Sequence, residues 1–189
     1  RRETWKRRFD MEETLRKAAP NRGHRACAEL IRTGKASVVI TQNIDGLHQD
    51  SGISDDKVIE LHGNTTYAHC LDCGQRYDIG ALRVDFEQDN IVPLCACGGW
   101  VKTATVSFGQ SMPVDAMRRA ERETLLADLF VVIGSSLVVY PAAGFPELAK
   151  RNGARLAIVN LQPTGLDDMA DLVLNRSIAD AMGAVIDVN

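Results

Sequence analysis

An α/β chain, a parallel sheet with helices on both faces plus one small insert, is predicted by three features of the sequence. Short β-branched runs, SVVIT at 37–41, LFVVIG at 129–134 and RLAIVN at 155–160, mark buried strands. Stretches with helical periodicity lie between them. Residues 66–104 break this rhythm, because Cys, Gly and Pro replace the strand–helix alternation.

Each element has its own reason. Residues 21–33 put His24, Cys27, Ala28 and Ile31 on one helical face and stop at Gly34, a C′ glycine. Residues 113–127 follow Ser111 and Pro113 and repeat Val114, Met117, Ala120 and Leu125, a second amphipathic cover helix. LVL at 172–174 is a weaker candidate strand of the same sheet. Trp5 and Trp100 read as packing residues. The expected organisation is a main domain of residues 1–65 and 105–189 and a small metal-binding domain of residues 66–104.

At 189 residues, 45% hydrophobic and 25% charged, the chain can fill one good core with a small appendage. Its net charge of −3 supplies no basic field for nucleic acid. Arg1, Arg2, Lys6, Arg7 and Arg8 form the one cationic cluster, read as a solvated helix face. No apolar run approaches the roughly 20 residues that cross a bilayer, and no signal-peptide pattern opens the sequence. The expected compartment is therefore the cytoplasm, with neither membrane nor nucleic acid as partner.

In that compartment close-spaced cysteines read as metal ligands rather than disulfides. HCLDCG at 69–74 and PLCACGG at 93–99 supply Cys70, Cys73, Cys95 and Cys97, a C-x-x-C and a C-x-C pair with 21 residues between them. Two such knuckles can surround one tetrahedral Zn²⁺, and four thiolates leave no open position, so the zinc is expected to be structural. Two disulfides or four structural thiols are the alternatives. Cys27 stands apart as a core thiol.

In open α/β sheets ligands lie beyond the carboxyl ends of the strands. TQNIDGLHQDSG at 41–52, IELHGN at 59–64, GSSLVVYP at 134–141 and VNLQPT at 159–164 all leave candidate strands with polar or small residues. Gly134 and the two serines suit a ribose or phosphate, and Asn160 can reach a ribose hydroxyl. IELHGN ends its apolar run with His62 followed by a glycine.

Taken in order, with VSFGQSMP at 107 and around it and PNRGHRACAEL at 20–30, these motifs resemble the sirtuins, NAD-dependent protein-lysine deacylases. The likeness runs over nearly the whole chain. It implies a Rossmann-like NAD-binding domain with a zinc-ribbon insert. It also implies His62 as the catalytic histidine, and Gln42, Asn43 and Asp45 around the nicotinamide ribose, Asn43 orienting ribose or water. Ile44 becomes a wall of the nicotinamide pocket, and Gly134, Ser135, Ser136 and Asn160 the ribose and phosphate contacts. Val106, Phe108 and Gly109 border the acyl-lysine tunnel, and the four cysteines hold the zinc.

The implied reaction has the amide oxygen of acyl-lysine capture the ribose carbon that nicotinamide leaves, a step that needs positioning more than a strong base. A ribose hydroxyl then loses its proton to the histidine. Two departures stand out: Gln110 occupies a position where many members have Glu, and the family's Gly-Ala-Gly phosphate loop and the Phe-Arg segment after it have no counterpart here. The expectation is a longer chain that carries them, with poor NAD affinity for the residues as written. Acetyl is the default acyl group. A non-catalytic acyl-lysine or nucleotide-binding remnant is the alternative function, and a nucleic-acid zinc ribbon is disfavoured because residues 66–104 hold only Arg76, Arg83 and Lys102 as cations.

Overall fold

The computed structural model describes residues 1–89, 91–107 and 109–186. α1 spans Arg2–Lys17 and puts Trp5 and Phe9 one turn apart, where their rings stack with centroids 5.4 Å apart. α2 spans Arg22–Arg32 and begins with a reciprocal capping box. The Asn21 side chain accepts from the His24 N–H while His24 Nδ1 accepts from the Asn21 N–H. It ends as the sequence predicts, with Gly34 left-handed at φ +72°.

β1, Val39–Thr41, pairs in parallel with β2, Val58–Glu60, and the short helix α3, Leu47–Asp50, lies between them in the chain. The second half follows the predicted alternation. α5, Val114–Leu126, leads to β6, Leu129–Ile133; α6, Gly144–Arg151, leads to β7, Arg155–Val159. The weak candidate at 172–174 is strand β8, Leu172–Leu174, followed by α7, Ile178–Ile186. β6, β7 and β8 run parallel in that order. The sequence predicts one sheet, whereas the described parallel strands pair as two ladders, β1-β2 and β6-β7-β8. Side chains rather than ladder hydrogen bonds join them. Ile40 and Phe130 pack on one cluster around Ile59 and Leu61, and Val39 and Ile133 on another around Cys27 and Val58.

The insert is antiparallel. β3, Gly63–Cys70, lies between β4, Arg76–Asp78, and β5, Val101–Thr105. α4, Ile79–Asp89, covers it and buries Ile79, Leu82 and Phe86 with Ala68, Cys70, Cys95 and Val101. Trp5 and Phe9 of α1 complete that same core at 4% and 6% exposure. The basic cluster therefore divides. Arg2, Lys6 and Arg7 form an exposed face, but Arg8 donates to the Thr65 carbonyl at 2.7 Å and Arg1 lies 4.1 Å over the Trp100 ring. No helix of the described residues is long and apolar enough to cross a membrane.

β2 passes into β3 through His62 and Gly63. Gly63 sits at φ +74° opposite Thr105, and a Cβ there would overlap the Ala104 carbonyl oxygen. Both the left-handed backbone and the closeness of β5 demand glycine. Gly63→Ala is expected to cost at least about 1–3 kcal/mol, to be read as a lower urea midpoint with an unchanged slope.

Candidate active site and metal centre

The four predicted cysteines meet in one cluster. Their Sγ atoms all lie within 4.8 Å of one another, with Cys70–Cys97 at 3.6 Å and Cys73–Cys95 and Cys73–Cys97 at 3.5 Å. Zn–S bonds of about 2.3 Å in a tetrahedron put sulfurs about 3.8 Å apart, so the donor set fits one zinc ion and no disulfide is formed. Its electrostatics fit as well. The Tyr77 hydroxyl and the Cys97 N–H bring the Cys95 thiol down to about 6. Cys97 is pushed up to about 12: the Gly99 N–H works the other way, but Cys95, Cys73 and Cys70 crowd it. A divalent cation relieves that crowding. Cys27 is buried, and burial raises its thiol as expected of a core residue.

The loop leaving β1 is tied down by polar groups buried among apolar ones. Thr41 Oγ1 accepts from the Asn43 N–H at 3.0 Å, and Thr65 donates both its N–H, at 2.8 Å, and its hydroxyl, at 2.7 Å, to the Ile44 carbonyl. His62 Nδ1 lies 3.0 Å from the Gln42 carbonyl oxygen. A carbonyl only accepts, so Nδ1 carries the proton and Nε2 keeps its lone pair. Two separate pairings thus hold the loop, His62 on the Gln42 carbonyl and Thr65 on the Ile44 carbonyl, with Asn43 exposed between them. Sequence reasoning passed over Thr41 and Thr65. Thr41 left a signal, a hydroxyl residue closing the apolar run of β1, whereas Thr65, set between Asn64 and Thr66 inside β3, left none.

Asp45 accepts the Leu47 N–H at 3.0 Å, which turns the chain into α3, and its charge faces both His24 and His48. Those two rings lie 5.0 Å apart across α2 and α3. The α2 N-terminus in turn reaches the second half of the molecule. A Cβ on Gly23 would touch Ile178 Cγ2 at 2.7 Å, and one on Gly134 would touch Ile178 Cδ1 at 2.5 Å. Gly134 sits beside Asn160 at the ends of β6 and β7, its N–H donating to the Val159 carbonyl at 2.9 Å. Ser135 Oγ accepts from the Leu137 N–H at 3.3 Å, and Leu137 holds a left-handed φ of +56°, costly for a leucine. Ser136 is exposed in the same turn. A glycine and two serines at a strand end, beside Asn160, are a donor set that fits the ribose and phosphate of a nucleotide.

Burial holds both imidazoles below their ordinary value of 6.5; Arg25 adds to the effect at His24 and His24 adds to it at His48, while Asp45 opposes it at both. The unfolded chain then binds more protons than the folded one between the depressed values and 6.5. Stability is full above that window and falls as pH drops through it. A Tm series from pH 7.5 downward is expected to show this decline, and His48→Gln to flatten it.

At the remaining predicted site, the Val106 N–H donates to the His62 carbonyl at 2.9 Å, and Gly109 turns the chain at φ +79°. Phe108 lies outside the described residues.

A profile described as the Sir2 family matches residues 1–141. The chain is 55% identical over 184 residues to NAD-dependent protein deacetylase 1 of Bradyrhizobium diazoefficiens, covering 97% of this chain and 72% of that protein. It is 56% identical over 185 residues to the NAD-dependent protein deacetylase of Rhodopseudomonas palustris, covering 97% and 73%. Among solved structures, Sir2 bound to acetylated peptide superposes with TM-score 0.86 at 39% identity over 95% of this chain and 76% of that one. A Sir2 complex with a p53 peptide and NAD⁺ gives TM-score 0.83 at 40% identity over 92% and 72%. The matched residues take in both cysteine pairs and the motifs at the ends of β1, β2 and β6, and the likeness in space extends over both halves: this chain belongs to the Sir2 family.

Proposed function

We propose that this protein is an NAD-dependent protein-lysine deacylase, with acetyl-lysine as its default substrate, that transfers the acyl group to ADP-ribose and releases nicotinamide. The observation that carries the reading is the His62 ring. Its proton is fixed on Nδ1 by the Gln42 carbonyl, and its basic Nε2 is left for chemistry at the edge of the nucleotide loop. Bound NAD would supply a ribose carbon made electrophilic by the departure of nicotinamide, open to capture by the acyl-lysine oxygen.

The chain's own residues do the rest. His62 Nε2 takes the proton of the attacking ribose hydroxyl. Asn43 orients that ribose, while Gln42, Ile44 and Asp45 form the nicotinamide end of the site. Gly134, Ser135, Ser136 and Asn160 hold the adenosine side. Val106, Gly109 and Phe108 border the acyl-lysine, whose peptide adds as an extended strand. Cys70, Cys73, Cys95 and Cys97 hold a structural zinc in the small domain of residues 66–104, whose core Trp5 and Phe9 complete, while the nucleotide-binding residues belong to the main domain of 1–65 and 105–189. Relatives named NAD-dependent protein deacetylase and Sir2 structures holding acetylated peptide support the reaction. A cytoplasmic setting is supported by four thiols kept reduced for a metal.

The test is incubation of the full-length protein with NAD⁺ and a panel of acyl-lysine peptides, scoring nicotinamide and deacylated peptide by mass spectrometry. Stoichiometric release of both is expected. Peptide binding without nicotinamide release would return the chain to the non-catalytic reading.

A further inference from the structure

We propose that Lys102, a residue of the zinc-bearing insert, is a positioning residue for acyl-lysine that tethers Ser107 and Gln110 to the end of β5. The inference rests on the deacylase reading above and names a further residue for it. Lys102 lies half-buried on β5, and its ammonium donates to two oxygens, the Thr105 carbonyl at the end of that strand and Gln110 Oε1 at 3.3 Å. Gln110 Oε1 also accepts from the Ser107 N–H at 3.2 Å, and the Gln110 N–H donates back to the Ser107 carbonyl at 2.9 Å. One side-chain oxygen is thus the hub of the turn, and Lys102 is the tether that joins this hub to the strand.

The other end of the turn is held by the site itself, through the Val106 N–H on the His62 carbonyl. Ser107, Gly109 and Gln110 are exposed, and Gly109 is left-handed, so little burial holds their shape. Hydrogen bonds must do it. The ammonium is retained there at a cost, since burial pushes its titration below the usual lysine range and both its acceptors are neutral oxygens. A purely structural packing role would be served better by a methionine of similar length. A charged donor bridging two oxygens holds the turn more firmly than a neutral one, because charge-assisted hydrogen bonds are about twice as strong as neutral ones.

The test uses wild-type protein, Lys102→Met and Lys102→Arg. Binding of a fluorescein-labelled acetyl-lysine peptide is followed by anisotropy without NAD⁺, and amide hydrogen exchange is followed over residues 103–112. Lys102→Met is expected to weaken peptide binding by roughly tenfold, the worth of one charge-assisted hydrogen bond, and to speed exchange in the 107–110 turn while exchange in β1 and β2 is unchanged. Lys102→Arg, which keeps the charge and the donors, is expected to restore both. If wild type binds the peptide and Lys102→Met binds it equally well, or if exchange in the turn is unchanged, the clamp is overturned and the deacylase reading stands. If wild type binds no acyl-lysine peptide, the deacylase reading fails and the clamp falls with it.

Discussion

Replacing Cys97 by alanine is expected to strip the insert of its metal and unfold it. Binding energy at a structural zinc is on the order of 10 kcal/mol or more in small modules, and here it acts on a core that cannot stand without it. Cys70 and Cys95 are themselves members of the apolar cluster formed by Trp5, Phe9, Ile79, Leu82, Phe86 and Val101. The other two ligands, Cys73 and Cys97, are exposed, so the metal ties the surface knuckles to that core. Without it three thiols remain crowded within 4.8 Å with no cation to hold them. Losing several kcal/mol shifts Tm by on the order of 10 °C in a chain of this size. Trp5, buried in the cluster, gives the signal: its emission is expected to shift to the red as the variant loses zinc by elemental analysis. Native protein should contain one zinc per chain. Undiminished zinc in Cys97→Ala would show that a different ligand set holds the metal.

That centre was legible because both knuckles are local, and so were the strand-end motifs. A buried strand followed by a polar turn is a short-range pattern, and β1, β6, β7 and even the weak β8 lie where the apolar runs put them. What could not be read is long-range. Nothing in the first ten residues says that Trp5 and Phe9 pack against Phe86, because the partner lies on another helix far along the chain. Helix α4 did leave a trace in the spacing of Ile79, Leu82 and Phe86, but the surrounding cysteines and glycines dominated the region. β3 was hidden for a different reason. Its burial does not alternate cleanly, since Asn64 and Thr65 are both buried around a register shift, and period-two reasoning fails on such a strand. The His24–His48 contact joins residues on two helices that only the packed structure brings within 5.0 Å, although each histidine stood inside a motif that drew attention.

His62 carries the second large effect. Its ring nitrogen faces the Gln42 carbonyl, an arrangement that fixes both the tautomer and the direction of Nε2. Removing the ring in His62→Ala is expected to lower acyl-lysine turnover by roughly 10²-fold or more, the scale of a positioned acid–base group. The structural cost is much smaller. One hydrogen bond is lost from a half-buried site, worth about 1 kcal/mol and about 2–4 °C in Tm. His62→Asn separates the two contributions, because its amide can still donate toward the Gln42 carbonyl but offers no basic nitrogen at the position of Nε2. It should therefore melt close to wild type and yet be as inactive as the alanine variant. Were His62→Asn to keep ordinary turnover, the base would have to be sought elsewhere, with His48 the first candidate. Were both variants to lose folding and activity in proportion, His62 would be a strand-end packing residue, and the deacylase mechanism would need another group to take the ribose proton.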